Sequence, residues 1–553
     1  MKKIMNTPET FVYDMCHGLA AAHPELEFVE KFKVVKKKEI NRNKVTLISG
    51  GGSGHEPAHA GFVGKGMLDA AVCGDVFASP SQIQVYEAIK ATASDKGTLL
   101  IIKNYSGDCM NFNNAGARAK EDDDINVDAV FVNDDVAVTD SLYTVGRRGV
   151  AGTMFVHKIA GAAAEQGKDL PEVKRIAQKV IDNVASIGFA ISSCTPPAKG
   201  TPIFELADEN MEFGVGIHGE PGVATEKFVT SDELAEKMVA RVKDNAVIQL
   251  KKGDEIAVIV NGFGGTPLSE LYVLNNSVNK VIAKEGFKVH RALVGNYMTS
   301  LDMEGASITF LKLDDELKAL LDAPVNTPAL TWGATASEEA EAALVAVRAL
   351  AKAMNVVPAA KEECAEKAET AKKAAKAEKK AVYELTEKPV FAPKMNTAAF
   401  VALVDKMADV IIENEVHFCD MDSCGDGDFG MSIAKGFRQL KKDWATRDKA
   451  NIGAFLTSAS DIIMEYCGGA SGPIWGSGFR YAGKAAEEGD SLFVAMEKGA
   501  RAAVKGAEYT KQITARLGRA GVVGEKSIGH PDAGAYGLGV IFTELTKWVK
   551  TQK

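Results

Sequence analysis

The sequence predicts a two-lobed α/β substrate-binding part at the N-terminus and an all-α, helical-barrel part at the C-terminus. Up to about residue 332, short β-rich runs alternate with helical stretches, a pattern typical of α/β folds. From Asn396 onward no convincing strand occurs before Val540, while helical periodicity continues. Residues 334–382 between the two parts are dominated by Ala, Glu and Lys, which favours a semi-rigid, partly helical spacer over a packed core.

These observations divide the chain into three segments. A chain of 553 residues is too long for one hydrophobic core. We expect an α/β domain over residues 1–333, with its two lobes divided near 185–200. A linker follows over residues 334–392, closed by Pro389 and Pro393, and an apparently shortened helical domain occupies residues 393–553.

Within the α/β part, the apolar runs and the periodic stretches predict individual elements, which we expect to form parallel sheets. The predicted strands are Val45–Ile48, Thr98–Lys103, Ala129–Val132, Glu255–Val260 and His290–Val294. The predicted helices are Gln82–Ala93, Gly152–Gln166 and Leu170–Ile187 in this part, with Thr397–Glu415 and Ser491–Gly518 in the helical part.

Composition excludes several classes of protein. With 46% hydrophobic and 25% charged residues the chain reads as soluble and globular. A net charge of −9 argues against nucleic acid as a partner. No apolar stretch is long enough to span a bilayer, and the N-terminus lacks the apolar core of a signal peptide. The eight cysteines contain no Cys-x-x-Cys pair, so we expect reduced thiols and a cytoplasmic protein.

Two glycine-framed histidine motifs are the main chemical signal of the first part. Gly50–Pro57, with His55, follows the first predicted strand, and Gly214–Gly222 contains His218. Glycines let a backbone approach a small polar ligand, and a histidine in such a loop is expected to be exposed and able to donate, accept or attack. No Lys-Ser/Thr follows the glycines, so the first motif is not a P-loop, and Pro57 argues against a dinucleotide fingerprint. The alternative is an ordinary glycine turn after a strand, with a surface histidine.

An acidic, glycine-rich turn is the main signal of the helical part. Asp420, Asp422, Asp426 and Asp428 lie within nine residues, so they must repel one another or share cations. Oxygen ligands alone indicate Mg²⁺ or Ca²⁺, and the EF-hand spacing is absent. A solvated acidic loop is the alternative. Backbone N–H groups at helix N-termini hold phosphates, so a cation site beside glycine turns indicates a nucleotide. The further turns are Gly468–Pro473, Gly518–Gly521 and Gly529–Ala535.

Taken together, these motifs resemble the single-chain, ATP-dependent dihydroxyacetone kinases. The resemblance covers about residues 10 to 550 and is most specific in the first half. It rests on Gly50–Pro57, Gly61–Met67, Cys73–Pro80, Lys103–Asp108, Gly214–Gly222, Gly425–Gly430 and Gly468–Gly472.

The resemblance implies a substrate site in the α/β part, in which dihydroxyacetone or a similar short ketose is phosphorylated. Gly52 and Ser53 would contact the triose through the glycine loop. His55 and Lys103 would bind its oxygens. The catalytic residues would be Asp108, as base on the terminal hydroxyl, His218, which would hold the carbonyl as a covalent hemiaminal, and His55.

The resemblance also implies a nucleotide site in the helical part, with ATP as co-substrate. Asp426 and Asp428 would hold Mg²⁺, with Asp422 as third ligand. The loop is one residue shorter than the family pattern, so Asp420 is an alternative to Asp422. The residues expected to contact the nucleotide are Gly427, Phe429, Ala470, Ser471, Asp532, Ala533 and Gly534.

A second departure from the family follows Gly483, where a segment that covers the nucleotide has no counterpart. Two functional classes therefore stay open: a triose kinase, and a triose-binding regulatory protein or degenerate kinase. The resemblance further implies a homodimer, and residues 334–382 are long enough for the helical domain of one chain to serve the substrate domain of another.

Overall fold

The computed structural model describes residues 2–139, 146–333, 396–421 and 429–467, together with isolated helical positions between 472 and 551. The expected linker over 334–392 and the predicted helix Ser491–Gly518 lie outside the described residues.

The first lobe is built on a six-stranded mixed sheet. Its strand order is β1-β2-β4-β3-β5-β6, in which β4, β3, β5 and β6 run parallel and β1 and β2 are antiparallel additions. The strands are β1 (Leu26–Val29), β2 (Val34–Lys37), β3 (Thr46–Ser53), β4 (Ala70–Val76), β5 (Thr98–Lys103) and β6 (Val127–Val132). The accompanying helices are α1 (Phe11–Ala22), α2 (Gln82–Thr92), α3 (Ser106–Asp123), α4 (Thr153–Glu165) and α5 (Leu170–Ile181).

The second lobe has its own six-stranded sheet, ordered β11-β10-β12-β7-β8-β9. Only β10 and β11 pair in parallel, so the expectation of parallel sheets is wrong for this lobe. Its strands are β7 (Val184–Ala190), β8 (Asn210–Phe213), β9 (Ala224–Lys227), β10 (Glu255–Gly262), β11 (Lys288–Gly295) and β12 (Gly305–Lys312). Its helices are α6 (Ser231–Lys243), α7 (Leu268–Glu285) and α8 (Asp315–Asp322). The hairpin of β13 (Val325–Thr327) and β14 (Leu330–Trp332) follows α8.

The predicted helix Leu170–Ile187 is too long. The helix ends at Ile181, and Val184–Ala190 is a strand whose seven residues are all buried. Its side chains enter two hydrophobic clusters, with Val184 and Ala190 in one and Ala185, Ile187 and Phe189 in the other, so the strand shows no alternation of apolar and polar residues. A short apolar run cannot be assigned to a buried strand or to a buried helix by periodicity alone, and here tertiary burial decides.

The described residues after 395 are helical. They form α9 (Thr397–Glu413), α10 (Glu415–Met421), α11 (Phe429–Lys442) and α12 (Ile452–Tyr466). These helices share a core that includes Phe437, Phe455 and Ile463. The predicted helix Thr397–Glu415 divides at Asn414, whose side-chain amide donates to the Val410 carbonyl at 2.8 Å.

The helical part contacts the first lobe through ion pairs. Arg118 Nη1 of α3 donates to Asp461 Oδ1 of α12 at 2.8 Å, and Arg480 Nη2 donates to Asp122 Oδ1 at 2.6 Å. Among the helices in the described ranges, none combines the length and the apolar character needed to cross a membrane.

One lysine in the core of the first lobe has an unusual environment. Lys158 of α4 is fully buried, donates to the Leu320 carbonyl of α8 at 2.7 Å and lies 5.5 Å from the Trp332 ring centroid. Burial, with a smaller contribution from Arg291, lowers the pKa of Lys158 to about 7, and Asp322 acts in the opposite sense.

This lowered pKa predicts a pH-dependent stability. Between pH 7 and about 10.5 the unfolded chain binds a proton at Lys158 that the folded chain does not, so folding gains stability as pH rises. Lys158→Met should therefore have its highest stability relative to wild type near pH 6. Toward pH 10 the difference in the free energy of unfolding should shrink, by at most about 1.4 kcal/mol per pH unit. Unfolding midpoints across this range measure the effect.

The exposed Lys199 provides the matched control. Lys199→Met should leave the pH dependence of the midpoint unchanged. Parallel pH profiles for Lys158→Met and wild type would contradict the assignment of a neutral buried lysine.

Candidate active site

The carboxyl ends of the parallel strands β3, β4 and β5 lie at one edge of the first sheet, where α/β proteins bind ligands. The glycine loop, which we define as Gly50–Gly54, comprises the last four residues of β3 and the residue that follows them. Gly51 has φ +154°, and a Cβ there would lie 2.2 Å from Lys103 Nζ. Ser53 Oγ donates to the Gly74 carbonyl of β4 at 2.7 Å. The glycines therefore let the loop lie directly against the lysine.

A buried lysine–aspartate pair lies beneath this loop. Lys103 Nζ is 3.3 Å from the Gly50 carbonyl and 3.5 Å from Asp108 Oδ2. Asp108 lies in the first turn of α3, and its other oxygen accepts from Ser79 Oγ at 2.5 Å. A carboxylate near a helix N-terminus is favoured by the helix dipole. The aspartate is thus held with one oxygen bonded and the other only loosely paired.

His55 is fully buried, so the expectation that its loop exposes it is wrong. The second lobe covers it, because the ring Nδ1 lies 2.9 Å from the Thr299 carbonyl. The Phe77 ring stacks on the other side at 5.2 Å. Burial, followed by the neighbouring charges of His218 and Lys103, lowers the pKa of His55 well below its usual range.

His218 comes from the loop between β8 and β9 of the second lobe, and its side chain is 14% exposed. Its ring Nδ1 lies 2.9 Å from Glu220 Oε1, while its backbone N–H donates to Glu220 Oε2 at 2.9 Å. Burial acts to raise the pKa of Glu220, but His218 and Arg148 outweigh burial and lower the pKa to about 2. Glu220 is therefore a carboxylate that orients the histidine ring.

The two histidines meet edge to edge, with His55 Nε2 and His218 Nε2 3.1 Å apart. Each Nδ1 faces an oxygen that can only accept, the Thr299 carbonyl or the Glu220 carboxylate, so each Nδ1 carries a hydrogen. Two bare nitrogens would then face each other unless one proton lies between them. A proton held between the two Nε2 atoms therefore joins the two lobes, with the Glu220 carboxylate 2.9 Å from the His218 ring.

Aromatic rings enclose the His218 ring. Tyr105 and Phe77 contact it edge-on, with ring centroids at 4.6 and 5.2 Å. The Tyr105 hydroxyl is buried and has no hydrogen-bond partner among the described residues. Phe77 adopts φ +59°, a strained conformation for a bulky residue.

Sequence reasoning missed Glu220, Tyr105 and Phe77, although all three lie inside motifs that it singled out. The structure brings together the predicted α/β site residues, which are Gly52, Ser53, His55, Lys103, Asp108 and His218. What the motifs could not reveal is which neighbours orient each catalytic group.

Most predicted nucleotide and metal residues lie outside the described residues: Asp422, Asp426, Gly427, Asp428, Ala470, Ser471, Asp532, Ala533 and Gly534. Phe429 is described and begins α11, with its ring 5.9 Å from the Phe418 ring. In the ranges that the structure covers, no group of three or more potential ligand side chains could hold a metal ion.

Comparison with known proteins assigns the chain to a family. The Dak1 domain matches residues 17–329, and the DAK2 domain matches residues 423–495 and 484–547. The L-erythrulose 1-kinase of Mycolicibacterium smegmatis is 33% identical, with 99% of each chain covered. The chain belongs to the dihydroxyacetone kinase family.

Two further relatives sharpen this assignment. The DhaK subunit of a PTS-dependent dihydroxyacetone kinase from Listeria innocua is 51% identical over 60% of this chain and 100% of that protein. The structure of the C. freundii dihydroxyacetone kinase with AMP-PNP and Mg²⁺ aligns with a TM-score of 0.54 and 27% identity, covering 99% of both chains. The expected α/β and helical organisation is confirmed.

The hydrogen assigned to His218 Nδ1 leads to a prediction for Glu220→Gln. A carboxylate can only accept, whereas an amide can both accept and donate, so the variant no longer requires a hydrogen on Nδ1. We expect the hydrogen to lie on Nδ1 in wild type and to divide between Nδ1 and Nε2 in the variant. The ¹⁵N resonances of histidine-labelled protein report its position.

Glu212 of β8 provides the matched control, because its carboxylate accepts hydrogen bonds from Gly222 N of the loop that holds His218 and from Thr225 Oγ1 of β9, neither of which is a histidine. Glu212→Gln should leave the histidine spectrum unchanged. Identical His218 resonances in wild type and Glu220→Gln would show that the carboxylate does not set the tautomer.

Proposed function

We propose that this protein transfers the γ-phosphoryl group of ATP to a terminal hydroxyl of dihydroxyacetone or a close relative. The observation that carries this proposal is the His218 ring, held by Glu220 with Nε2 beside His55 and above the glycine loop. A nucleophilic nitrogen at a small, glycine-lined site suits a short carbonyl compound. The name of the mycobacterial relative makes L-erythrulose a second substrate to test.

The first step is the formation of a hemiaminal. On substrate entry the shared proton moves to His55 Nε2, which frees the lone pair of His218 Nε2. That lone pair bonds to the carbonyl carbon, and the π electrons of the carbonyl move to its oxygen. The oxygen takes the proton from His55, which returns to its neutral form, and the alkylated imidazolium is balanced by the Glu220 carboxylate. Glycerol has no carbonyl group and cannot form this bond.

The second step is proton removal from the terminal hydroxyl. Asp108 Oδ2 is the acceptor, since Oδ1 is already engaged by Ser79. Lys103, 3.5 Å from Oδ2, contributes its charge to the same region, and the backbone at Gly52 and Ser53 borders the ligand. A covalently fixed substrate presents its hydroxyl in one orientation, which favours in-line attack on the phosphorus.

Asp426 and Asp428 would hold Mg²⁺, with Asp422 or Asp420 as third ligand, because carboxylate oxygens are the ligands that Mg²⁺ prefers. Bound Mg²⁺ supplies charge neutralisation for the phosphates. Residues Gly427, Phe429, Ala470, Ser471 and Asp532–Gly534 would border the nucleotide. The site is a proposal from the family resemblance and from the relative that was crystallised with AMP-PNP and Mg²⁺.

Two findings support a shortened nucleotide domain. The DAK2 domain matches in two pieces that overlap at residues 484–495, where the sequence lacks the covering segment. The alignment with the mycobacterial kinase spans 602 positions, more than the 553 residues of this chain. We therefore propose that ATP is bound less tightly here than in a complete family member. A triose-binding protein with weak transfer is the second candidate.

The hemiaminal predicts the behaviour of two variants. His218→Ala should abolish the covalent triose adduct and the preference for dihydroxyacetone over glycerol. Asp108→Asn should retain the adduct but lose about 10²–10⁴-fold in turnover, because only the base is removed. Intact-mass spectrometry after rapid desalting, without borohydride, detects the adduct. Release of ADP measures phosphoryl transfer. An unchanged ketose preference in His218→Ala would contradict the mechanism.

The acidic loop predicts how nucleotide binding is lost. Asp426→Ala and Asp428→Ala should each remove Mg-ATP binding measured by calorimetry, while the triose adduct persists. Glu544→Ala, which removes an exposed partner of Lys547, is the control and should bind normally. Adduct formation without any Mg-ATP binding in wild type would select the triose-binding protein over the kinase.

A further inference from the structure

Behind the glycine loop, Lys103 begins a row of buried side chains, and the two histidines in that row have no part in the steps above. Lys103 Nζ lies 3.1 Å from His59 Nε2, and His59 Nδ1 lies 3.0 Å from His157 Nε2. Lys103 and His157 are fully buried, and His59 is 5% exposed. The row links β5 through the loop after β3 to helix α4, directly beneath the proposed substrate site.

The lysine determines which nitrogen atoms in this row carry hydrogens. An ammonium group only donates, so His59 Nε2 must accept and His59 Nδ1 must carry the hydrogen. That hydrogen points to His157 Nε2, with Ser49 Oγ at 3.3 Å as a second acceptor, since the serine hydroxyl donates to the Ile101 carbonyl. Burial lowers the pKa of His157 to about 3 and that of His59 well below its usual range, so both rings are neutral.

We propose that His59 is a positioning residue that anchors the Lys103 ammonium against the glycine loop and leaves one lysine proton for Asp108 and the substrate. Three acceptors surround Nζ: the Gly50 carbonyl at 3.3 Å, His59 Nε2 at 3.1 Å and Asp108 Oδ2 at 3.5 Å. The two shorter contacts hold the ammonium group in place. The longest contact is to Asp108 Oδ2, which takes the proton of the reacting hydroxyl in the proposed mechanism, so the lysine proton on that side is the one that a substrate oxygen can share.

His59 is suited to this task because it accepts a hydrogen bond without adding charge. A carboxylate there would compete with Asp108 for the ammonium, and an apolar residue would leave a buried N–H without a partner. The ionisable groups around Lys103 come from three elements: Asp108 and Cys109 from α3, His55 and His59 from the loop after β3, and His157 from α4. Asp108 is the anion of this set, so Lys103 has one carboxylate partner, and its other two contacts are to neutral acceptors.

Two near-isosteric variants test the anchor. In His59→Gln the amide oxygen reaches the position of Nε2 and can still accept from Lys103. In His59→Asn the shorter amide reaches only the position of Nδ1. We expect His59→Gln to keep turnover within about threefold of wild type, whereas His59→Asn and His59→Leu lose about 10- to 10²-fold in kcat through misplacement of Lys103 and Asp108.

The split between kcat and KM separates this role from a packing defect. In His59→Asn and His59→Leu the loss should lie in kcat, with the KM for the triose within about threefold of wild type, because Lys103 and Asp108 are misplaced at the reacting hydroxyl while His218 still holds the carbonyl. The triose adduct at His218 should persist in all three variants. Equal kcat values for His59→Gln and His59→Asn would overturn the proposal.

A measurement on the wild-type protein covers the case in which a variant does not fold. The ¹⁵N and ¹H resonances of His59 at pH 7 should show a neutral ring with its hydrogen on Nδ1; a hydrogen on Nε2, or a charged ring, would overturn the anchor. The proposal rests on the proposed function for the role of Lys103. Wild-type protein that neither binds triose nor releases ADP would refute that function, while the His59 tautomer would still decide whether the lysine is anchored.

Discussion

The 3.1 Å approach of His55 and His218 is the interaction on which the rest of the site depends. One ring follows a strand of the first sheet and the other lies in a loop of the second, so the contact exists only when the two lobes are joined correctly. Thr299 and Glu220 each occupy the Nδ1 of one ring. The facing Nε2 atoms can then share one proton at the point where the lobes meet, which is where we propose that the carbonyl compound is bound.

A second principle of the site is that each buried charge has a counterpart. Arg148 lies near Glu220 and donates to Asp135 at 2.7 Å, and Lys103 pairs with Asp108. Removing one member of such a pair leaves an unpaired buried charge, which is strongly destabilising. The same burial gives the charges fixed directions, because no bulk water competes for their hydrogen bonds. Stability and preorganisation therefore come from one network.

The helical part meets the first lobe at the far end of the helix that begins near Asp108. Arg118 and Asp122 lie in the C-terminal half of α3 and pair with Asp461 and Arg480. A helix rises about 1.5 Å per residue, so these contacts are roughly 15–20 Å along α3 from the proposed base. The ion pairs thus join the helical part to the first lobe at the end of α3 that is opposite Asp108.

The sequence by itself determined the order of domains, the strands β5 and β10 and the residue types at the site, because the β-rich runs and glycine–histidine motifs are local patterns. It also placed His55, Lys103, Asp108 and His218 in one family pattern. Only the tertiary structure decided that Val184–Ala190 is a central strand, since burial on both faces removes the periodic signal. It alone decided that His55 is buried and that His59 meets Lys103, because those contacts join residues from different lobes or elements. It also decided that Glu220 orients His218, since hydrogen-bond geometry has no signature in spacing along the chain.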